Sequence, residues 1–473
     1  MRLSELIAGL NCRIYNFKDV RVESLEFDSR NVKPGSVFIA IPGTKYDGHN
    51  FINQAVKQGA SAIVAQRKME ETSLPQIIFD DTRMILGKLA RNFYGDFSNM
   101  KIIGITGTNG KTTAAFLTHA ILEQAGYNPG LIGTVYYLSK ERVKADRTTP
   151  ESLDIFKLFN DFRNAGLKSV VMEVSSHALA LKRVEELAFD IAVFTNLSQD
   201  HLDFHDTISK YKSAKLHLFE LLKSNGFAVF NCDDPVSEEI RKLNIENSLD
   251  FGFNANALVR GEIASDTNSG LNLNVYYENQ KFEIHSKLIG KFNSYNILAS
   301  VAAGIALQLK IETIIEGVES LEGVRGRMER VGPNVFIDFA HTPGAMANVL
   351  TSLREYTEGR VIIVFGCGGN RDREKRSKMG KIASENADFV VVTSDNPRNE
   401  EPEKIIKDII SGIKNNNFKV IPDREKAIEF GIRIKKPEDI LLIAGKGHEE
   451  YQIIGDKVIP FDDAVVVRKI LGS

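Results

Sequence analysis

Apolar and polar residues change their spacing along the chain, and each change predicts a different piece of architecture. Up to about residue 97 the apolar runs are short, "SVFIAI", "SAIVA" and "QIIF", separated by Pro-Gly turns and a helical pattern in "NFINQAVKQGA". This predicts a small mixed α/β domain over residues 1–97. From Lys101 the runs become continuous, "KIIGITG", "SVVMEVS", "IAVFTNL" and "FAVFNCD", and alternate with helical periodicity. Strands apolar on both faces predict a parallel sheet covered on both sides. "LVRGEIAS" and "LNLNVYYENQKFEIHS" alternate with period two, which predicts antiparallel hairpins appended to that sheet and closes a second domain over 98–320. "VFIDFA", "RVIIVFG", "ADFVVVTS" and "DILLIAG", with helices between them, predict a separate Rossmann-like domain over 321–473. The expected fold class is α/β in three domains.

Composition narrows the partners. Sixty basic and 62 acidic residues leave a net charge of −2 over 473 residues, so no global field recruits nucleic acid or an anionic membrane. Cys12, Cys232 and Cys367 form no CxxC pair, which predicts a reducing compartment, the cytoplasm. No run approaches the roughly 18 apolar residues of a membrane span. The expected state is a monomer acting on small molecules, with no nucleic acid and no membrane partner.

The first chemistry appears at "TGTNGKTTAAFLTHAILEQAG", where a Gly-rich turn follows a strand and opens a helix. Gly107 and Gly110 let backbone N–H groups close on phosphate oxygens, Lys111 neutralises the terminal phosphates, and the Thr112 hydroxyl suits Mg²⁺. The usual G-x-x-x-x-G-K-[ST] spacing asks for glycine at 105, but Ile105 stands there and Gly104 comes one position early. The prediction is an ATP or GTP site of variant form.

In "DTISKYKSAKLHLFELL", Ile208, Tyr211, Leu218 and Leu222 share one helical stripe with Lys215. By itself that pattern predicts a lysine snorkelling at the stripe's edge; the alternative is a buried amine open to carbamylation or Schiff-base chemistry. Just upstream, "TNLSQDHLDFHDT" gathers Asp200, His201, Asp203, His205 and Asp206 after a strand. His201 and His205 have i, i+4 spacing, yet Leu202 stands where a zincin needs Glu, so oxygen ligation of Mg²⁺ suits the stretch better than zinc. Glu173, ending "VVMEVSSH", is a further candidate ligand. In "SDNPR", Pro397 stiffens the turn after a strand, and Arg398, alone, reads as a solvated turn residue.

The motifs TGTNGKTT, EVSSHAL, TNLSQDHLDFH, YKSAK, FNSYN, GRME, DFAHTP, GCGGNRDREKR, DNPR and GKGHE follow one another in this order. With them the chain resembles the Mur ligases along its whole length, and within the family the members that add the third residue of the peptidoglycan peptide. The resemblance implies three domains that bind UDP-MurNAc, ATP and an amino acid. It implies ATP contacts at Gly107, Thr108, Asn109, Gly110, Lys111, Thr112, Thr113, Asn293, Asn296, Arg327, Asp338 and His341. Two Mg²⁺ ions are implied around Thr112, Glu173, His201 and Lys215, the last as a CO₂-derived carbamate. Lys111, His201 and Lys215 carry the implied catalytic roles.

"FDSRNVKPGSVFIAIPGTKYDGHNF" is similar to the family's uridine-binding segment, which implies contacts at Phe27, Ser29, Thr44, Lys45 and Tyr46. Thr148, Thr149, Ser175 and Arg183 match positions that hold the muramoyl-dipeptide, while Arg147 and Leu181 depart from residues some members carry. DNPR resembles the diaminopimelate-adding enzymes and implies an acceptor pocket of Arg371, Asp395, Asn396, Pro397, Arg398, Gly445 and Glu449. The reaction implied is activation of the carboxylate of UDP-MurNAc-L-Ala-D-Glu as an acyl phosphate, followed by attack of meso-diaminopimelate. A folylpolyglutamate synthase would make the same kind of bond but lacks a first domain like residues 1–97. A P-loop regulatory ATPase would bind nucleotide without amino-acid-dependent phosphate release.

Overall fold

The computed structural model describes every residue except Thr44, Lys45, Glu71, Lys140, Asp146 and Ser473. The described chain forms two compact units, Met1–Gly104 with Tyr127–Ala192 and Ser213–Gly226, and Ile105–Gly126 with Val193–Lys212 and Phe227–Ser473. Among the described residues no helix is long and apolar enough to cross a membrane, and the three cysteines are free.

In the first unit the predicted runs "SVFIAI", "SAIVA" and "QIIF" become strands of a five-stranded sheet. Its spatial order is Arg13–Tyr15, Gln76–Ile78, Ala62–Ala65, Ser36–Ile39, Ser24–Glu26, parallel except for the first pair. Phe38, Ile52, Ala55, Ile63 and Ile78 close its core. The helix Thr82–Tyr94, whose Asp81 caps the Arg83 and Met84 N–H groups, packs on the helix Ser152–Asn164. The strand Ser169–Glu173 pairs in parallel with Pro129–Ile132, and two further antiparallel strands, Tyr136–Leu138 and Arg142–Lys144, had no clear apolar pattern to announce them.

In the second unit the period-two stretches form the expected hairpins, Val259–Thr267 with Gly270–Tyr277 and then Gln280–Ser286. The helix Lys111–Gln124 is buried on nearly all sides, Thr112, Thr118 and His119 included, because the helices Lys291–Ala306 and Ile311–Ser320 pack on it.

A six-stranded sheet completes this unit, in the order Glu329–Gly332, Val335–Asp338, Ile440–Ala444, Val361–Phe365, Phe389–Val392, Phe418–Val420. All pairings are parallel except that of the edge strand Glu329–Gly332. Alternate residues feed two cores. Phe336, Ile363, Phe365, Val390 and Leu442 pack under the helices Pro343–Arg354, Glu374–Asn386 and Pro402–Ile410; Ile337, Val364, Val391 and Ile443 pack under Arg424–Ile434 and Asp463–Leu471. This double cover explains why the strand sequences are continuous apolar runs. Four loops, beginning at Phe339, Gly366, Thr393 and Gly445, leave the carboxyl ends of adjacent parallel strands, the edge where open α/β sheets bind ligands.

Candidate functional site

The phosphate loop follows the strand Lys101–Thr106 and ends at the helix Lys111–Gln124. Gly104 turns out to be a packing residue, since a Cβ there would lie 2.7 Å from the Phe189 ring, and Ile105 is buried in the strand. The loop proper starts at Gly107, whose φ of +148° disfavours any side chain and whose Cβ would collide with Thr195 Oγ1. Lys111 Nζ donates to the Gly107 and Thr108 carbonyls at 2.9 and 2.8 Å, which holds the ammonium over the loop beside the helix N-terminus. The segment Thr195–Ser198 clamps the loop from outside. Asn109 N donates to Asn196 Oδ1 at 3.0 Å, Thr195 Oγ1 donates to Asn109 O at 2.6 Å, and Ser198 N donates to Thr108 Oγ1 at 2.9 Å. The sequence shows these residues only as the polar end of an apolar strand.

Asn293 and Asn296 share the helix Lys291–Ala306, Asp338 ends the strand Val335–Asp338, and Arg327 and His341 lie in the segments before and after that strand. Asn296 abuts Gly110, where a Cβ would strike its Oδ1, and donates to Asn293 Oδ1 at 2.8 Å; Asn293 donates to Ile289 O at 2.7 Å. Arg327 reaches the loop, donating from Nη2 to Thr112 Oγ1 at 3.2 Å, and lies 4.7 Å from the Phe339 ring centroid. Burial pushes the Asp338 carboxyl up to about 6 despite Arg327. Burial, with Lys375 nearby, pulls the His341 imidazole down to about 4, so it is neutral at pH 7.

The acceptor-side residues meet where three loops of the six-stranded sheet converge. Arg398 Nη1 donates to Gly369 O at 2.8 Å. Gly369 is required by close approach, because a Cβ would run into Pro397 O. Arg398 has φ +52°, and its backbone pairs with the hairpin Tyr451–Ile454 and Lys457–Pro460: Arg398 N donates to Ile453 O at 3.0 Å and Gly455 N to Arg398 O at 2.7 Å. The hairpin, unannounced by the sequence, thus aims Arg398 from a turn that Pro397 stiffens. Burial, with Arg371 nearby, lowers the pKa of the Arg398 guanidinium, which is half-buried and not the solvated turn residue its local sequence suggests. Asn396 Nδ2 donates to Glu449 Oε2 at 2.8 Å, and Gln452 Nε2 to Asp395 O at 2.7 Å. Gly445 takes φ +107° beside Asp395.

In the first unit, Thr148, Thr149, Ser175, Arg183 and Glu173 form one network. Thr149 Oγ1 donates to Glu173 O at 2.8 Å and accepts from Ser175 N at 3.1 Å; Arg183 donates to Thr149 O at 3.0 Å and Glu151 Oε1 at 2.9 Å. Thr148 Oγ1 lies 3.1 Å from Thr134 Oγ1, and Thr134 donates through its N and Oγ1 to the two Glu173 oxygens at 2.7 and 3.0 Å. Glu151, which the sequence did not single out, also accepts from Arg83 and Arg147. Although burial opposes it, Arg183, Arg83 and Arg147 together hold this carboxyl below the usual range. Ser29 is buried and donates to Gln54, Phe27 is half-buried, and Tyr46 is 72% exposed against Phe51. Thr44 and Lys45 lie outside the described residues.

Two expectations near the implied metal residues are corrected. Lys215 does not snorkel: it is 1% exposed, as are its stripe neighbours Tyr211 at 1% and Leu218 at 0%. The stripe is shorter than predicted, because Ile208 is 45% exposed and Leu222 already belongs to the strand Leu222–Asn231. His201 and His205 do not share a regular helical face, since His201 caps the four-residue helix Leu202–His205 with φ +53°. Among the described residues no group of three His, Cys, Asp or Glu side chains converges as a metal cluster. In the second unit the Thr112 hydroxyl, and in the first the buried Glu173 carboxylate, oriented through both its oxygens, are each hard oxygen donors of the kind Mg²⁺ takes.

Family patterns match three consecutive stretches: "Mur ligase family, catalytic domain" over 21–94, "Mur ligase middle domain" over 105–304, and "Mur ligase, glutamate ligase domain" over 326–447. The chain belongs to the Mur ligase family. Within this family it is 41% identical to the UDP-N-acetylmuramoyl-L-alanyl-D-glutamate--2,6-diaminopimelate ligase of Clostridium botulinum, covering 100% of this chain and 99% of the relative. It is 45% identical to the enzyme of the same name from Solibacter usitatus, over 95% and 93%. A solved structure of a ligase with that name superposes at TM-score 0.70 with 30% identity, over 100% and 99% of the two chains. The phosphate loop lies in the Mur ligase middle domain, and Arg371, Asp395–Arg398 and Gly445 in the glutamate ligase domain.

Proposed function

We propose that this Mur ligase uses ATP to join meso-diaminopimelate to UDP-MurNAc-L-Ala-D-Glu, lengthening a peptidoglycan precursor in the cytoplasm as a monomer, with domains at 1–97, 98–320 and 321–473. The observation that carries the acceptor is Arg398, half-buried beside Arg371 and aimed by the hairpin, with Glu449 in the next loop. A guanidinium fork reads a carboxylate, and diaminopimelate differs from lysine by one carboxylate at its far end, next to an ammonium that Glu449 can take. The relatives named for this reaction support the same reading over nearly their whole length.

The N–H groups of residues 107–112 and Lys111 hold the triphosphate, Arg327 sits beside Thr112, and the Asn293–Asn296 side flanks Gly110. Arg183, Thr149 and Ser175 orient the dipeptide, and Phe27, Ser29, Thr44, Lys45 and Tyr46 the uridine end. A carboxylate oxygen of the dipeptide forms a bond to the γ-phosphorus as ADP leaves; the neutral amine of the acceptor then attacks the acyl carbon, and phosphate departs with the former carboxylate oxygen. Positioning and charge neutralisation supply the rate, and no protein nucleophile is needed. Thr112, Glu173, His201 and Lys215, the last as a carbamate, would hold two Mg²⁺ ions that screen the negative charge. Lys215 is 1% exposed, and a carbamate there would carry two anionic oxygens of the kind Mg²⁺ takes.

Phosphate release measured with each substrate omitted in turn tests the reading. Release requires UDP-MurNAc-L-Ala-D-Glu and meso-diaminopimelate together; equal or better turnover with L-lysine would sink the acceptor assignment while sparing the fold.

A further inference from the structure

Lys446, in the loop after the strand Ile440–Ala444, is 0% exposed and has no part in the contacts assigned so far. Its Nζ donates to Glu449 Oε2 at 3.1 Å and to Asn396 Oδ1 at 3.2 Å. It lies 3.9 Å from Asp395 Oδ1 and 5.6 Å from the Tyr451 ring centroid. Asn396 donates to the same Glu449 Oε2 and accepts from Ile453 N at 3.0 Å, so the lysine ties the start of the turn that carries Arg398 to the loop that carries Glu449.

Burying an ammonium is expensive unless it is paired and hydrogen-bonded, and a pairing this complete fixes the partners' orientation as well. Both donors to Glu449 use Oε2. Among the described residues, Oε1 is left to receive another cation. Around the turn the ion pairs Arg376–Glu400 and Arg424–Asp463 are closed on themselves, and Arg371, Arg398 and Lys446 then face Asp395 and Glu449, three cations to two carboxylates. An acceptor whose far end carries both an ammonium and a carboxylate adds no charge there. One ending in an ammonium alone adds a cation to a pocket already biased positive.

We propose that Lys446 is a positioning residue that sets which amino acid is accepted, by anchoring Glu449 Oε2 and Asn396 so that Glu449 Oε1 meets the far ammonium and by adding the positive charge that disfavours lysine. The proposal rests on the diaminopimelate reading above. It differs from a structural role for Lys446 in predicting a change in substrate ratio, not only in stability.

The test is a cycle of Lys446→Met, Glu449→Gln and the double variant, read by kcat and KM for diaminopimelate and L-lysine, KM for ATP, and melting temperature. For Lys446→Met the KM for diaminopimelate rises at least about 10-fold, the diaminopimelate-to-lysine ratio of kcat/KM falls by a similar factor, and the KM for ATP stays within about 3-fold. A folded Lys446→Met protein with an unchanged ratio overturns the proposal. Should that variant fail to fold, the double variant, free of the unpaired carboxylate, decides. Its diaminopimelate KM matches that of Glu449→Gln within about 3-fold if Lys446 acts through Glu449, and a further rise of about 10-fold overturns that action. Wild-type turnover with lysine in place of diaminopimelate would remove the acceptor reading and this proposal together; wild-type use of diaminopimelate with an unchanged variant ratio removes only this one.

Discussion

Arg376 and Glu400 form a two-pronged ion pair, Nη1 to Oε2 and Nη2 to Oε1, both at 2.9 Å, with the arginine side chain 0% exposed. Arg376 also bonds to Asp408 and to Gly368 O, while Glu400 Oε1 accepts from Asn370 N. The pair therefore ties the loop that carries Arg371 to the turn that carries Arg398. Removing one partner of a buried pair strands the others, so Arg376→Met should cost about 3 kcal/mol in chemical denaturation. It should also raise the KM for the amino acid more than that for ATP.

Acid should weaken the protein through two carboxylates. The Arg376 hydrogen bonds, with Asn370 N, hold Glu400 at about 2 against an ordinary 4.5. Asp439, despite its burial, is held at about 2 against 3.8 by hydrogen bonds from Arg360 and from the Lys436 and Arg360 N–H groups. A carboxyl depressed in the folded state stabilises it fully above the unfolded pKa, and that stability disappears as pH falls toward the folded value. Stability measured from pH 5 down to 2 should drop, and Glu400→Gln and Asp439→Asn should each flatten the drop. Asp338, raised to about 6, works in the opposite sense, its contribution fading as pH rises from 3.8 through 6.

Arg398→Ala should raise the KM for diaminopimelate by about 100-fold, the loss expected for a half-buried charge-assisted contact, and leave ADP affinity within about 3-fold. Calorimetry with each ligand separately checks this. Equal loss for both ligands would place Arg398 in a structural role.

Gly107→Ala should cost at least about 30-fold in ATP affinity, because the new methyl meets Thr195 Oγ1 on the wall that clamps the loop. The diaminopimelate pocket, in other loops, should be unaffected. Titration of the variant with ADP and with the amino acid measures both.

Lys215→Ala should lower turnover by about 100-fold or more while the protein keeps binding ADP, if the buried amine serves as a carbamate that holds a metal. Wild-type turnover in that variant would remove the carbamate role.

Much of the molecule was legible in its sequence. Continuous apolar runs such as "VIIVF" and "ILLIA" announced strands covered on both faces, because each such residue must find a core whichever way it points. The phosphate loop was legible because its chemistry lies within residues 107–113. The hairpin Tyr451–Pro460 was not, since every residue from Ile454 to Pro460 is exposed, which leaves no core face: Ile454 is 44%, Val458 66% and Ile459 42% exposed. Nor was the clamp from Thr195 to Ser198, whose partners are about ninety positions away.

By itself the sequence determined which strands exist and which loops carry charge, glycine and proline, since strand burial and turn chemistry are local properties of the chain. Where those charges point was decided by the tertiary structure. Arg398 is aimed through Gly369, 29 residues away, and through the hairpin; Lys446 donates across 50 residues to Asn396; Lys215 is buried although its local pattern allowed a solvated head. Orientation and burial of a charge depend on partners that only folding brings together, whereas strand burial and turn chemistry do not.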